Sequence, residues 1–121
     1  MRYMSLWSPR VEPVGPPNPE EITKMGALID ELFKSGELIA TDGLQSSASR
    51  SIVRKNGDKI TITDGPFAET KEVIAGYAIF NVRSKEHMIA LTKRFLTVVD
   101  LDGSCEISPM YDDSPLPPPA R

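Results

Sequence analysis

The chain has 121 residues, 40% of them hydrophobic, and 14 Lys and Arg residues against 17 Asp and Glu residues give a net charge of −3. This length allows one domain and argues against two, and the composition excludes a disordered chain. The basic residues are scattered rather than clustered, so we expect no nucleic-acid partner and no anionic membrane partner.

The first eight residues predict a short strand, with the strand-favouring Tyr3 and Trp7 at one parity. Five prolines follow between Pro9 and Pro19 and predict a surface loop, because proline breaks both helices and sheet ladders. Five more lie between Pro109 and Pro119, so the ordered framework is expected between these two clusters. We therefore predict one domain over residues 1–111 and a flexible, proline-rich tail over 112–121. A polyproline segment that docks in an aromatic groove is the alternative for the tail.

A first helix is predicted to begin at Pro19, with Asn18 as its N-cap and Glu21 as the acid of a capping box. Gly36 is placed to supply the left-handed residue that ends it. Apolar residues recur at steps of three and four and predict one buried stripe, which comprises Ile22, Met25, Leu28, Ile29, Leu32 and Phe33.

Residues 37–41 resume as a short extended segment, and the small polar residues 42–49 predict a loop. Two strand-favouring runs then flank Asn56-Gly57, which is the strongest short signal for a hairpin whose turn residues both take positive φ. With these two residues as the turn, the register pairs Val53 with Ile60 and Lys55 with Asp58.

Residues 73–82 are apolar at both parities, which predicts a central strand covered on both faces. A second helix is expected to begin at Ser84 and a last strand to span residues 104–110. The buried side of the second helix is predicted to comprise Met88, Ile89, Leu91, Phe95 and Leu96.

This order of elements predicts an α+β, ferredoxin-like βαββαβ fold, with room for an extra short strand around residue 39. Two helices cover only one face of an antiparallel sheet, yet the central strand is apolar on both faces. Since the sequence predicts no further helix, a second copy of the sheet is the simplest cover. We therefore expect a homodimer that packs sheet to sheet about a twofold axis.

One cysteine and one histidine limit the chemistry. Cys105 alone allows no internal disulfide and no cysteine-based metal site, so we expect neither a metal nor a cofactor. His87 lies at the first turn of a surface helix and is expected to be solvated. No apolar run approaches the ~18–20 residues that cross a bilayer, and residues 1–7 lack the long apolar segment of a signal peptide. The expected compartment is the cytoplasm.

Residues 63–72, which contain Asp64-Gly65-Pro66-Phe67, resemble the signature of the DGPF-domain proteins, a branch of the YCII-related family. The opening residues 1–4, the segment 42–45 and the segments around Tyr77 and Ser84 agree with this resemblance, which covers residues 1–111. The resemblance implies a ferredoxin-like domain that dimerises as an α/β barrel, with a small pocket beside the sheet. It also implies a bacterial setting, and some members are encoded beside or fused to alternative sigma factors.

In parts of that family a His and an Asp in the pocket are thought to form an acid/base pair. The His position is occupied here by Met25, and His87 lies elsewhere. Asp64 is the remaining catalytic candidate, as a general base or a ligand-binding carboxylate at the pocket mouth. The alternative is a turn in which its side chain accepts from nearby backbone amides.

The other candidate ligand-binding residues are Asp42, Gln45, Arg50, Lys71 and Tyr77. The alternatives without a ligand are that these polar side chains are simply exposed to solvent, that Lys71 forms an exposed ion pair, and that Tyr77 packs in the core. The predicted function is a homodimer that binds an unknown small molecule in a pocket beside the sheet. One alternative is a small-molecule enzyme that uses Asp64 for proton abstraction or elimination. The other is a partner-binding regulatory module linked to sigma-factor signalling.

Overall fold

Two helices and two antiparallel sheets occupy residues 1–66 and 73–111, the part of the chain that the computed structural model describes. The elements in chain order are β1 (Arg2–Pro9), α1 (Pro19–Lys34), β2 (Leu38–Gly43), β3 (Ser51–Asn56), β4 (Lys59–Asp64), β5 (Gly76–Asn81), α2 (Lys85–Val98) and β6 (Gly103–Pro109). One sheet has four strands in the order β2-β5-β1-β6, and β3 pairs only with β4 in the other. The tail predicted over residues 112–121 lies outside the described residues.

The four-stranded sheet confirms the predicted α+β architecture and is compatible with a ferredoxin-like fold. Its strands and the two helices follow one another as βαββαβ once the β3–β4 hairpin is set apart. β5 lies between β2 and β1, as its apolar residues at both parities predicted. The extra strand expected around residue 39 is therefore an edge strand of the main sheet, and the hairpin is the addition.

Both helices pack on the same face of the four-stranded sheet. The buried core there comprises Tyr3, Leu38, Phe80 and Val82 from the sheet side and Leu28, Leu32, Met88 and Leu91 from the helices. Trp7 on β1 meets Phe95 on α2 edge to face, with ring centroids 5.5 Å apart. This core confirms the middle of each predicted apolar stripe.

Three residues assigned to those stripes are exposed instead. Ile22 is 54% exposed and Phe33 is 44% exposed, and both lie roughly 80–100° around α1 from Leu32. They form one margin of a stripe that is wider than the helix's contact with the sheet. Leu96 on α2 is 36% exposed, so its assignment to the buried side was also wrong.

The start of α1 differs from the predicted capping box in one respect. The Asn18 side chain accepts a hydrogen bond from the backbone N–H of Glu21 at 2.8 Å, as expected. However, the Glu21 carboxylate accepts from the backbone N–H of Asp100 at 2.8 Å rather than from that of Asn18. Half of the box therefore links α1 to the end of α2. At the other end of α1, Gly36 has a φ of 81°, which confirms its predicted role.

The hairpin is confirmed, but its predicted register is wrong. Val53 lies opposite Ile62 and Lys55 opposite Ile60, so Gly57 and Asp58 are the turn residues. Gly57 has a φ of 63°, and no residue other than glycine has a positive φ among the described residues. This pattern fits a type II′ turn, which needs glycine only at its first central position. The two-residue shift leaves every side chain on its predicted face.

None of the described helices is both long and apolar enough to cross a bilayer.

Candidate functional site

A cavity of about 250 Å³ lies between the two helices and the four-stranded sheet. From the helices it is lined by Met25, Leu28, Ile29, Leu32, Leu91, Thr92 and Phe95. Most of these side chains are apolar, and the volume is close to the lower end of about 300 Å³ that is typical of small-molecule pockets. The cavity can therefore accept a small, mainly apolar guest.

Small residues on the sheet create this cavity. Each strand places one or two on the face toward the helices, namely Ser5 on β1, Thr41 on β2, Gly76 and Ala78 on β5 and Cys105 on β6. Phe80, two residues after Ala78, fills the equivalent space at the other end of β5 and is 7% exposed. The cavity thus adjoins the packed core, and residues such as Leu32 and Phe80 belong to both.

Among the described residues, the polar side chains that face the cavity from the helix side of the sheet are uncharged. The Thr41 hydroxyl donates to the carbonyl oxygen of Tyr77 and the Thr92 hydroxyl to that of Met88, both at 2.8 Å. Burial raises the pKa of the Cys105 thiol, and a hydrogen bond with Ser5 opposes part of that increase. The thiol is therefore protonated at neutral pH. Because the Thr41 and Thr92 hydroxyls already donate their hydrogens, their oxygens can accept a hydrogen bond from a bound molecule.

Asp42 and Tyr77 also belong to the cavity lining, but their side chains point to the other side of the sheet. They lie opposite each other on β2 and β5, one position along from the Thr41–Ala78 pair, and successive side chains alternate between faces. The face that Tyr77 shares with Met4, Leu6 and Ile79, turned away from the helices, is called the open sheet face below.

On the open sheet face the Tyr77 hydroxyl donates to Oδ2 of Asp42 at 3.1 Å. This hydrogen bond, and secondarily the negative charge of Asp42, raises the pKa of Tyr77, because both favour the neutral phenol. Two of the residues predicted to bind a ligand are therefore direct partners. Asp42 is exposed, so its carboxylate can still accept from a further donor.

Asp64 lies elsewhere, at the end of β4. Its Oδ1 accepts from the hydroxyl of Ser51, its cross-strand neighbour, at 2.6 Å. It is not among the described residues that line the cavity. The hydrogen bond closes the open end of the hairpin, which differs from the backbone-capping turn considered as the alternative to a functional role.

Gly65 has a steric role next to Asp64. Its N–H donates to the carbonyl oxygen of Arg50 at 2.7 Å. A Cβ at this position would overlap the carbonyl oxygen of Ser47 and lie 3.1 Å from that of Arg50. This close approach between backbones explains why glycine is needed in the Asp-Gly-Pro segment. Residues 67–72, which include Lys71, are outside the described residues.

The loop that Gly65 contacts is itself anchored by side chains. Arg50 donates through Nε to the carbonyl oxygen of Gln45 at 2.8 Å. The Glu12 carboxylate accepts from the N–H and the hydroxyl of Ser47 at 2.9 and 2.8 Å, and these hydrogen bonds lower the pKa of Glu12. Gln45 and Arg50, both predicted to bind a ligand, are thus brought together with each other but lie outside the described cavity lining.

Met25, at the position where the resemblance expects a His, packs against the core and lines the cavity. His87 itself is paired instead of solvated, so that expectation was wrong. Its side chain is 13% exposed, and Nε2 lies 2.6 Å from Oε2 of Glu37. The backbone N–H of Arg83 donates to Nδ1 at 3.1 Å, which leaves the ring hydrogen on Nε2.

The Glu37–His87 pair was not predicted, because no sequence spacing connects two residues that lie 50 positions apart. Ser35 donates to Oε1 of Glu37 at 2.6 Å, and this bond, followed by that of His87, lowers the pKa of Glu37. Since both ring nitrogens of His87 are already in use, the pair ties β2 to the start of α2. Among the described residues, no cluster of three or more His, Cys, Asp or Glu side chains is arranged to hold a metal ion.

A family model described as YCII-related domain matches residues 1–110 of the chain. The match spans both helices and both sheets of the described structure. No curated protein matches the sequence.

The close approach at Gly65 makes Gly65→Ala destabilising. Because the new methyl group must displace the backbone of Ser47, we expect a loss of about 1–3 kcal/mol in the free energy of unfolding, as at overpacked sites. Urea denaturation measures this loss. Gly43→Ala is the matched control, since its Cβ would lie 3.9 Å from the carbonyl oxygen of Ala75, which is an ordinary van der Waals contact. Equal losses in the two variants would contradict the steric role.

Asp42→Asn should lower the pKa of Tyr77 toward the ordinary tyrosine value, since it removes the charge and weakens the acceptor of the phenol. A phenol whose folded pKa is raised stabilises the fold below the ordinary pKa, and this effect is lost as the pH rises through the raised value. Absorbance at alkaline pH measures the titration, and a parallel titration of Tyr77→Phe isolates the Tyr77 signal. An unchanged titration in Asp42→Asn excludes this pair as the cause.

Proposed function

The chain belongs to the YCII-related family, and from this premise we propose that it is a homodimer whose subunits each bind a small, mainly apolar molecule. The proposed binding site is the cavity between the helices and the four-stranded sheet. A finer proposal is membership in the DGPF branch, which the segment Asp64-Gly65-Pro66 supports.

The observation that carries the ligand proposal is the cavity itself. Its walls are the apolar sides of two helices, and its floor includes small side chains from all four strands beside the larger Trp7, Leu38 and Phe80. Protein interiors are normally packed to high density, so unfilled apolar space of this size is expected where a guest binds. A core that needed only stability would carry larger side chains at positions such as Ala78.

The chemistry of the lining indicates the class of guest. The hydroxyl oxygens of Thr41 and Thr92 face an otherwise apolar space, and the Cys105 thiol is neutral. A charged ligand would lose its hydration without finding a counter-ion among these groups, which is costly. We therefore propose an uncharged molecule with an apolar body and one hydroxyl or amine donor. The catalytic role of Asp64 and the link to sigma factors stay predictions from the resemblance.

The open sheet face supports the proposed homodimer. It carries Met4, Leu6, Tyr77 and Ile79, while the core helices lie against the opposite face. Contiguous apolar surface of this kind is typical of an interface, and in a twofold dimer each copy can cover this face of the other.

Filling the cavity should weaken the binding of a suitable probe. We choose 2-naphthol, which combines an apolar body with one O–H donor, and naphthalene, which lacks the donor. Isothermal titration should show tighter binding of 2-naphthol, and Ala78→Leu should weaken it at least about tenfold, or about 1.4 kcal/mol. Ala27→Leu introduces the same side chain at an exposed position of α1 and should leave binding unchanged.

The cavity is not the binding site if Ala78→Leu and the unmodified protein bind 2-naphthol equally well while both remain folded. Preference for naphthalene over 2-naphthol would contradict the proposed role of the hydroxyl acceptors.

Light scattering on the eluted protein tests the homodimer. At micromolar concentration we expect about twice the 13.3 kDa of one chain. Leu6→Asp places a charge at the centre of the open sheet face and should shift the protein to a monomer, because a buried unpaired carboxylate is strongly unfavourable. Leu101→Asp, an exposed leucine outside the strands, is the control. A monomeric unmodified protein would refute the homodimer.

A further inference from the structure

The β3–β4 hairpin exposes an apolar face. The register places Val53, Ile60 and Ile62 on the same side of the two strands, and these side chains are 64%, 58% and 69% exposed. They therefore have no cover among the described residues. Ile52, Arg54, Thr61 and Thr63 form the reverse side of the hairpin.

A hairpin of this kind needs a further surface. An isolated two-stranded sheet is at best marginally stable in water, and three large exposed aliphatic side chains on one face add to the cost. Here β3 and β4 pair only with each other and join neither edge of the four-stranded sheet. The Asp64–Ser51 and Gly65–Arg50 hydrogen bonds close the base of the hairpin, and beyond that base its three aliphatic side chains are exposed among the described residues.

The open sheet face has complementary properties. It is apolar at its centre, and exposed Asp42 and Glu106 give it two acidic positions, since Glu106 lies opposite Leu6 on β6. Its basic position, Arg2 at one end of β1, donates to the carbonyl oxygen of Tyr111. The hairpin's apolar face carries exposed Lys55 opposite Ile60 near its tip, and Asp64 at its base, where Asp64 accepts a hydrogen bond from Ser51. Lys55 beside the aliphatic side chains of the hairpin thus has the opposite charge to Asp42 and Glu106 beside the aliphatic side chains of the open sheet face.

We propose that the hairpin is an arm that docks, through Val53, Ile60 and Ile62, on the open sheet face of a second copy of this chain. This proposal rests on the homodimer proposed above and adds which surfaces meet. A twofold axis makes the contact reciprocal, so that each copy gives one arm and receives one. The exposed apolar face of the hairpin and the half-buried apolar residues of the open sheet face are then covered by a single arrangement without any other partner.

The first test compares two variants of the same strand by light scattering and sedimentation over a range of concentrations. Ile62→Asp, on the docking side, should raise the dimer dissociation constant at least 100-fold, because the charge enters the contact twice in a symmetric dimer. Thr61→Asp, on the reverse side, should change it less than threefold. Circular dichroism confirms that both variants keep the helices and sheets, which do not depend on an exposed side chain of the hairpin.

The second test asks which surface the arm touches. In a Cys105→Ser background, Val53→Cys combined with Ile79→Cys should form a disulfide between two chains under mild oxidation. Arg54→Cys combined with Ile79→Cys places the first thiol on the reverse side and should not. Mass spectrometry identifies the linked pair of peptides, and mixing two differently tagged single-cysteine variants distinguishes a link between chains from a link within one.

The outcomes separate this proposal from the one it rests on. One outcome is that the protein is a dimer, that Ile62→Asp leaves its dissociation constant unchanged, and that no disulfide links the chains. In that case the arm is excluded and the homodimer stands. If the unmodified protein is a monomer, both are refuted. A disulfide that forms within one chain shows that the hairpin folds onto its own sheet and overturns the exchange between copies.

Discussion

Both helices pack on one face of the four-stranded sheet, and this asymmetry determines what each strand must present. Toward the helices the strands carry large residues at one end, such as Tyr3 and Phe80, and small ones at the other, such as Ser5 and Ala78. The large residues close the core and the small ones leave the cavity. Away from the helices the same strands carry aliphatic and aromatic side chains such as Leu6 and Tyr77, and neither of the described helices packs on that side.

Polar contacts between distant segments hold the ends of these elements in place. Glu21 accepts from Asp100 and thereby joins the start of α1 to the end of α2. Glu37 and His87 join β2 to α2, and Glu12 fixes the loop that carries Ser47. Each of these carboxylates accepts hydrogen bonds that are stronger than those of a neutral acceptor. Because the hairpin leaves and rejoins the domain beside Ser47, the anchored loop also sets where the hairpin begins.

Local signals in the sequence predicted the helices, the central strand and the hairpin, since caps, periodicity and turn residues act within a few positions. They did not predict contacts that depend on the folded arrangement. Nothing near His87 in the sequence points to Glu37, and the small residues of the cavity lie on four separate strands. The hairpin register failed for a different reason, because two overlapping pairs, Asn56-Gly57 and Gly57-Asp58, satisfy the same turn signal. The composition of the Asp64 segment suggested a catalytic or ligand-binding role, but the described contacts of Asp64 and Gly65 close the base of the hairpin.

β5 connects the two faces most directly. Gly76 and Ala78 are small and face the cavity, whereas Tyr77 and Ile79 are large and belong to the open sheet face. Thr41, from the cavity side, donates to the carbonyl oxygen of Tyr77, whose hydroxyl holds Asp42 on the other side. A guest in the cavity and a second copy on the open sheet face would thus contact opposite sides of the same strand. β5 would then be a wall of the cavity on one side and part of the contact between copies on the other.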